Sequence, residues 1–172
     1  MRWLIDGYNV IRRDSDLRGR EAESLAAGRA ALLRRLATLA RDSDESFTVV
    51  FDGARLRAAG DASAGAGGRV EVVFSRPPDT ADDVLRRLAA RWRDAAVVVS
   101  SDRAVESGAR RAGAVAVSAE DFMSALESPA QAGESPGTRD EMDDEPRVKR
   151  GNPRRASREE RDTRRVLRRL TG

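Results

Sequence analysis

Five short apolar runs, separated by longer segments, constrain this chain more than any other feature. They are WLI at 3–5, FTVVF at 47–51, VEVVF at 70–74, AVVVS at 96–100 and GAVAV at 113–117. Each has strand length, and the first four are followed within three residues by Asp, Gly or Pro. The run at 96–100 is apolar throughout, as a central parallel strand buried on both faces must be. Between the runs the period changes to that of helices. Leu25, Ala26, Ala30, Leu33, Leu36, Ala37 and Ala40 make one amphipathic helix over 21–41. Val84, Leu85, Leu88, Ala89 and Trp92 make a second over 80–93. A third follows Asp102 to about 112, and Ser118 opens a short one to 126 with a capping-box spacing to Asp121. Strands alternating with helices predict an α/β fold whose parallel sheet is covered on both faces.

The way the runs end matters as much as the runs. The first four stop at, or lead directly to, an acidic residue: Asp6, Asp52, the segment from Asp79 to Asp83, and Asp102. In an open parallel sheet the carboxyl ends of the strands share one edge, where ligands bind. Any single aspartate there reads most simply as a turn former or helix cap, and Asp6-Gly7 in particular reads as a tight turn. Four at one edge would repel one another unless a cation neutralised them. Oxygen donors alone select magnesium or manganese over zinc. Asp82 and Asp83 have separate expectations. With Thr80 as N-cap, Asp83 returns the capping bond and Asp82 is left for a ligand; with Asp79 as cap the two exchange roles. Asn9 and Ser101 are candidate supporting groups through their amide and hydroxyl, and equally ordinary turn residues.

Composition narrows the chemistry. The 172 residues contain no cysteine and no histidine, which excludes thiolate metal sites and the commonest general base. Catalysis would then fall to carboxylates, hydroxyls, arginines or a hard metal ion. No apolar run approaches the roughly 20 residues of a membrane span, and no secretion signal is visible at the N-terminus, so a soluble cytoplasmic protein without membrane contact is expected. Charge is uneven: net +1 over 1–125, −6 over 126–146 and +8 over 147–172. The glycine-rich stretch at 60–68 reads as a mobile loop. Residues 127–156 read as a disordered acidic-to-basic linker. The segment 157–172 reads as a basic helix whose apolar stripe is too narrow to anchor it firmly.

Asp6-Gly7-Tyr8-Asn9, Val50-Phe51-Asp52-Gly53, Thr80-Ala81-Asp82-Asp83 and Ser101-Asp102-Arg103, in this order, resemble the YacP-like NYN domain family of PIN-like nucleases over about residues 1–126. The resemblance implies a PIN-like three-layer α/β/α sandwich around a mainly parallel five-stranded sheet. It implies a metal-dependent endoribonuclease acting on messenger RNA in association with the ribosome. Carried over by position, Asp6, Asn9, Asp52, Asp82 and Asp102 are its site residues. Asp6, Asp82 and Asp102 would be catalytic, and Asp52 would join them in holding Mg2+ or Mn2+. For the RNA backbone the candidates are Arg55, Arg57, Arg76 and Arg103 near the strand ends, and Lys149, Arg150, Arg154 and Arg155 in the tail. Tyr8, Phe74 and Trp92 read as core rather than as base-stacking platforms. Two rivals stand beside the nuclease. A non-catalytic RNA- or ribosome-binding module needs only the positive charge. A magnesium phosphatase or nucleotide-binding enzyme would normally show a P-loop lysine, and the single lysine, Lys149, lies in the tail.

Overall fold

The structure, a computed structural model, describes residues 1–53, 68–127 and 157–171. The glycine-rich stretch up to residue 67 and the linker at 128–156 lie outside the described residues, as do Arg55, Arg57, Lys149, Arg150, Arg154 and Arg155. Five strands form one parallel sheet: β1 Arg2–Asp6, β2 Ser46–Phe51, β3 Val70–Phe74, β4 Ala96–Val99 and β5 Val115–Val117. Their order is β3-β2-β1-β4-β5. The chain therefore builds outward from β1 to β3, then returns to β1's other side and builds outward again. That reversal falls between β1 and β4, and it is where an open sheet opens a crevice at its carboxyl edge.

Side-chain alternation along the strands divides the interior into two cores. Trp3, Ile5, Phe47, Val49, Val97 and Val99 face one way and Leu4, Val50, Ala96 and Val98 the other. The first face is covered by α1 Gly7–Arg13, α2 Ser15–Glu23, α3 Leu25–Asp42, α6 Ala119–Glu127 and α7 Arg158–Thr171. The second is covered by α4 Ala81–Trp92 and α5 Arg103–Arg111. This is the three-layer α/β/α sandwich.

Three segments depart from the sequence reading. Asp6-Gly7 is not a tight turn: Asp6 caps α1, its Oδ1 accepting the Asn9 N–H at 3.2 Å, and helix starts at Gly7. Gly7 is required there because a Cβ would stand 2.2 Å from Cε1 of Phe51. The single helix expected over 21–41 is two, broken at Ser24, whose extended backbone and side chain cap α3 through the Ala27 N–H at 3.0 Å. Most consequentially, α7 is not a loosely held basic tail. Val166, Leu167 and Leu170 are buried in the first core, Thr163 Oγ1 donates to Ala116 O at 3.3 Å, and Arg169 Nε donates to the buried Glu45 at 2.7 Å. The stripe is narrow, yet it meets a matching surface on β5 and α6.

Candidate active site

Asp6, Asn9, Asp52, Asp82 and Asp102 line one cleft of about 410 Å³ at the carboxyl edge of the sheet, together with Tyr8, Arg12, Arg13, Thr80 and Ala81. The expected carboxylates thus come from the ends of β1, β2 and β4 and from the first turn of α4, and face one space. The topology forces this, since β2, β1 and β4 are neighbours in the sheet and α4, carrying Asp82 in its first turn, follows β3.

Asp6 sits at the centre and is only 8% exposed. Its Oδ1 caps α1, and its Oδ2 accepts the Ser100 hydroxyl at 2.9 Å. Burial pushes its carboxyl up to about 6; the bonds from Ser100 and Asn9 counter that rise, and the charges of Asp82 and Asp102 add to it. Asp82 is also raised, by burial first and then by Asp102. Among the described residues its carboxylate has no hydrogen-bond partner; only its backbone carbonyl is used, accepting from Arg86 Nε at 3.3 Å. Asp102 caps α5, accepting from the Ala104 N–H at 2.7 Å and the Val105 N–H at 3.2 Å. Asp52 accepts the Ser75 hydroxyl at 3.4 Å.

The choice between Asp82 and Asp83 is settled by α4's cap. Thr80 is the N-cap, and it and Asp83 exchange both bonds of a capping box. The bonds from Thr80, with Arg86 beside it, hold the Asp83 carboxyl below its usual value. Asp83 is thereby structural, and Asp82 is the residue presented to the cleft.

Two supporting groups have roles that the sequence could not separate. Asn9 Oδ1 accepts the Ser101 N–H at 2.9 Å, tying the start of α1 to the end of β4. Ser101 does not line the cleft; its hydroxyl donates to Glu120 and accepts the Ala119 N–H at 3.0 Å, anchoring α6. The hydroxyl that serves the aspartates is that of Ser100, buried at the end of β4. It donates to Asp6 and accepts the Asp102 N–H at 3.1 Å, linking the Asp6 carboxylate to the backbone of Asp102. A polar residue closing an otherwise apolar strand was the available signal. Of the expected RNA contacts, Arg76 and Arg103 are exposed but do not line the cleft, whereas Arg12 and Arg13, on the last turn of α1, do.

The donor set fits a hard divalent cation in chemistry: the cleft offers carboxylate oxygens, and burial first, with neighbouring acids adding to it, raises Asp6 and Asp82. Among the described residues no group of three or more is already gathered tightly enough to hold an ion. Among the described residues the Asp82 side chain makes no hydrogen bond that would hold it away from the cleft.

A parallel α/β/α sandwich with an acidic cleft at its switch point is a nuclease-like arrangement, and the sequence comparisons agree. Residues 3–169 match the model of the YacP-like NYN domain, and the chain belongs to that family. The match runs well past residue 126 and includes α7, as its packing requires. A curated relative, the uncharacterized protein YacP of Bacillus subtilis (strain 168), is 28% identical over 128 residues, 73% of this chain and 74% of that protein. The crystal structure of Rae1 (YacP) from Bacillus subtilis superposes with a TM-score of 0.64 at 26% identity, covering 76% of each chain. The crystal structure of a mutant of that same protein gives 0.61 at 25% identity, covering 76% of this chain and 77% of the other. The function that follows from the family is nuclease-like and RNA-related. Among the described residues no helix is long and apolar enough to cross a membrane.

Proposed function

We propose that the protein is a metal-dependent endoribonuclease that hydrolyses RNA phosphodiester bonds at this cleft. The observation that carries the reading is the convergence of four aspartates with Asp6 pushed up to about 6 by burial and by its acidic neighbours. Such a cluster is poised to take up either protons or a cation. Asp6, Asp82 and Asp102 would hold magnesium or manganese, with Asp52 assisting. The bound ion would supply the charge that eases proton loss from attacking water and offsets charge developing on the scissile phosphate. The chain's own groups do the positioning. Ser100 fixes the orientation of the Asp6 carboxylate and ties it to the backbone of Asp102. Asn9 fixes the distance between β1's end and β4's end. With no histidine in the chain, no imidazole base is involved. Messenger RNA as substrate and the ribosome as partner follow from the family resemblance, and a cytoplasmic location with them.

Incubating labelled RNA with wild type and Asp82→Asn, in magnesium or in EDTA, tests this. Cleavage is expected only for wild type with magnesium. Cleavage that persists in EDTA, or at full rate in Asp82→Asn, would refute the metal site. RNA binding by wild type without cleavage in magnesium would instead favour a non-catalytic RNA-binding module.

A further inference from the structure

The acidic cleft has a basic wall. Arg12 and Arg13 lie on the last turn of α1, the helix that Asp6 caps. Among the described residues they are the cations that line the cleft. Asn9 and Arg13 are one turn apart on the same face of α1, so the face that ties to β4 also carries Arg13 along the rim. From Asp6 to Arg13 the helix rises roughly 10 Å, which puts these side chains beside the carboxylates rather than among them.

Neither guanidinium is fully committed, although that of Arg12 lies over the Tyr8 ring at 5.8 Å. Arg12 Nε stands 3.7 Å from Glu21 Oε1, beyond hydrogen-bond distance, and that oxygen is buried without a hydrogen bond. The terminal amino groups of Arg12 are therefore left for another acceptor, and its side chain is 45% exposed. Arg13 Nη1 lies 3.1 Å from Glu120 Oε1, and those side chains are 51% and 49% exposed. An ion pair this exposed contributes little, so a phosphate can displace it. Glu120 itself would stay where it is. Partial burial disfavours its charge, but the Ser101 hydroxyl, its backbone N–H and Arg13 outweigh that and hold its carboxyl below the usual value.

The geometry points to Arg12 and Arg13 as a two-guanidinium grip for an RNA phosphate flanking the one at the carboxylates, with Glu120 holding Arg13 in reserve until substrate arrives. This rests on the reading of the cleft as an RNA-cleaving site. Guanidinium forks suit phosphate oxygens through paired hydrogen bonds. They also solve an electrostatic problem, because a cleft of four aspartates repels the phosphate it must admit. Tyr8 is buried against Phe51 at a ring separation of 5.1 Å, so the wall grips backbone and does not stack bases.

The test uses the full chain with Asp82→Asn as a cleavage-silent parent in magnesium, and follows binding of a short labelled single-stranded RNA across a salt series. Adding Arg12→Gln and Arg13→Gln together is expected to weaken binding by about tenfold per guanidinium. The slope of log affinity against log salt should flatten by about 0.7, the value for one neutralised phosphate on a single strand. Arg13→Lys should keep most of the slope, since it keeps the charge. Glu120→Gln should tighten binding, because it frees Arg13; a purely structural role for the Arg13–Glu120 pair predicts no change or weaker binding. Unaltered affinity and slope in the doubly substituted chain, with an unaltered melting transition, would overturn the grip while leaving the nuclease reading intact. Failure of Glu120→Gln to tighten binding would overturn the reserve role of Glu120. A parent that binds no RNA at all would overturn the RNA reading of the cleft, and the grip with it.

Discussion

Replacing Asp6 by Asn should make the protein more stable at neutral pH and should do so in a pH-dependent way. The carboxyl rises from 3.8 to about 6 on folding. Across that window the folded state binds a proton that the unfolded state has released, so stability falls as pH rises from about 4 and levels off above about 6. The rise corresponds to about 3 kcal/mol at 1.36 kcal/mol per tenfold change, an upper figure because Asp82, itself raised, is coupled to it. Asn is close to Asp in shape and caps helices as well, so the bond from the Asn9 N–H survives. Its amide can donate to Ser100 Oγ in place of accepting from it. Urea unfolding of both proteins at a series of pH values gives the difference directly, and subtraction removes the titration of every other group. The difference should be close to zero near pH 4 and grow to about 2–3 kcal/mol in favour of Asp6→Asn near pH 7. Magnesium should then narrow it by stabilising only the wild type, by about 2.7 kcal/mol at a hundredfold excess over its dissociation constant. A difference independent of pH would show that Asp6 is not held at a cost, and the argument from clustered charge would fail.

Asp82→Asn should abolish cleavage with a melting temperature unchanged or raised, since its charge is repelled by Asp102. Asp83→Asn should cleave normally but melt earlier, because it weakens the capping box with Thr80; loss of activity there would reverse the two roles. Gly7→Ala should lower stability by at least about 1–3 kcal/mol in chemical denaturation, the cost of overpacking against the Phe51 ring. A chain ending at residue 127 should unfold or lose most of its stability, because Val166, Leu167 and Leu170 leave the core at roughly 1.5–3 kcal/mol each, and Glu45 loses Arg169. An unaltered melting transition after that truncation would show that α7 is not part of the folding unit.

The strands and the acidic ends were legible because both signals are local. An apolar run bounded by Asp and Gly names its own strand, and parallel topology does the rest. What stayed hidden depended on partners distant in sequence. Helix α1 has only seven residues and opens with Gly7 and Asn9, both poor helix formers, so its few apolar positions show no period; it forms because Asp6 caps it and Phe51 receives Gly7. Helix α7 has three buried apolar residues, too few to read as a core face without β5 and α6 opposite. Its strongest polar tie, Arg169 to Glu45, spans 124 residues. Ser100 and Ser101 are indistinguishable as letters. The alternation of the strand sends one hydroxyl to Asp6 and leaves the other for α6.

Capping and ligand binding looked like rival explanations for each aspartate, and the geometry makes them compatible. Asp6 and Asp102 are both N-caps, of α1 and α5, and both line the cleft. An ionised carboxylate offers about four lone-pair positions. Asp6 uses one on each oxygen, and Asp102 accepts both its backbone bonds on Oδ1. Each therefore retains acceptor capacity toward the cleft after its helix is capped. The cap does more than coexist with the site. It fixes the rotamer of the carboxylate, so a cation arriving there need not order Asp6 or Asp102, and the ordering entropy is confined to Asp82, whose carboxylate is unbonded. Positive helix N-termini at α1, α4 and α5 also lessen the repulsion among the three acids. The same residues that start the helices after β1 and β4 are thus held in place to act together, which is why a strand-to-helix junction, rather than a free loop, carries them.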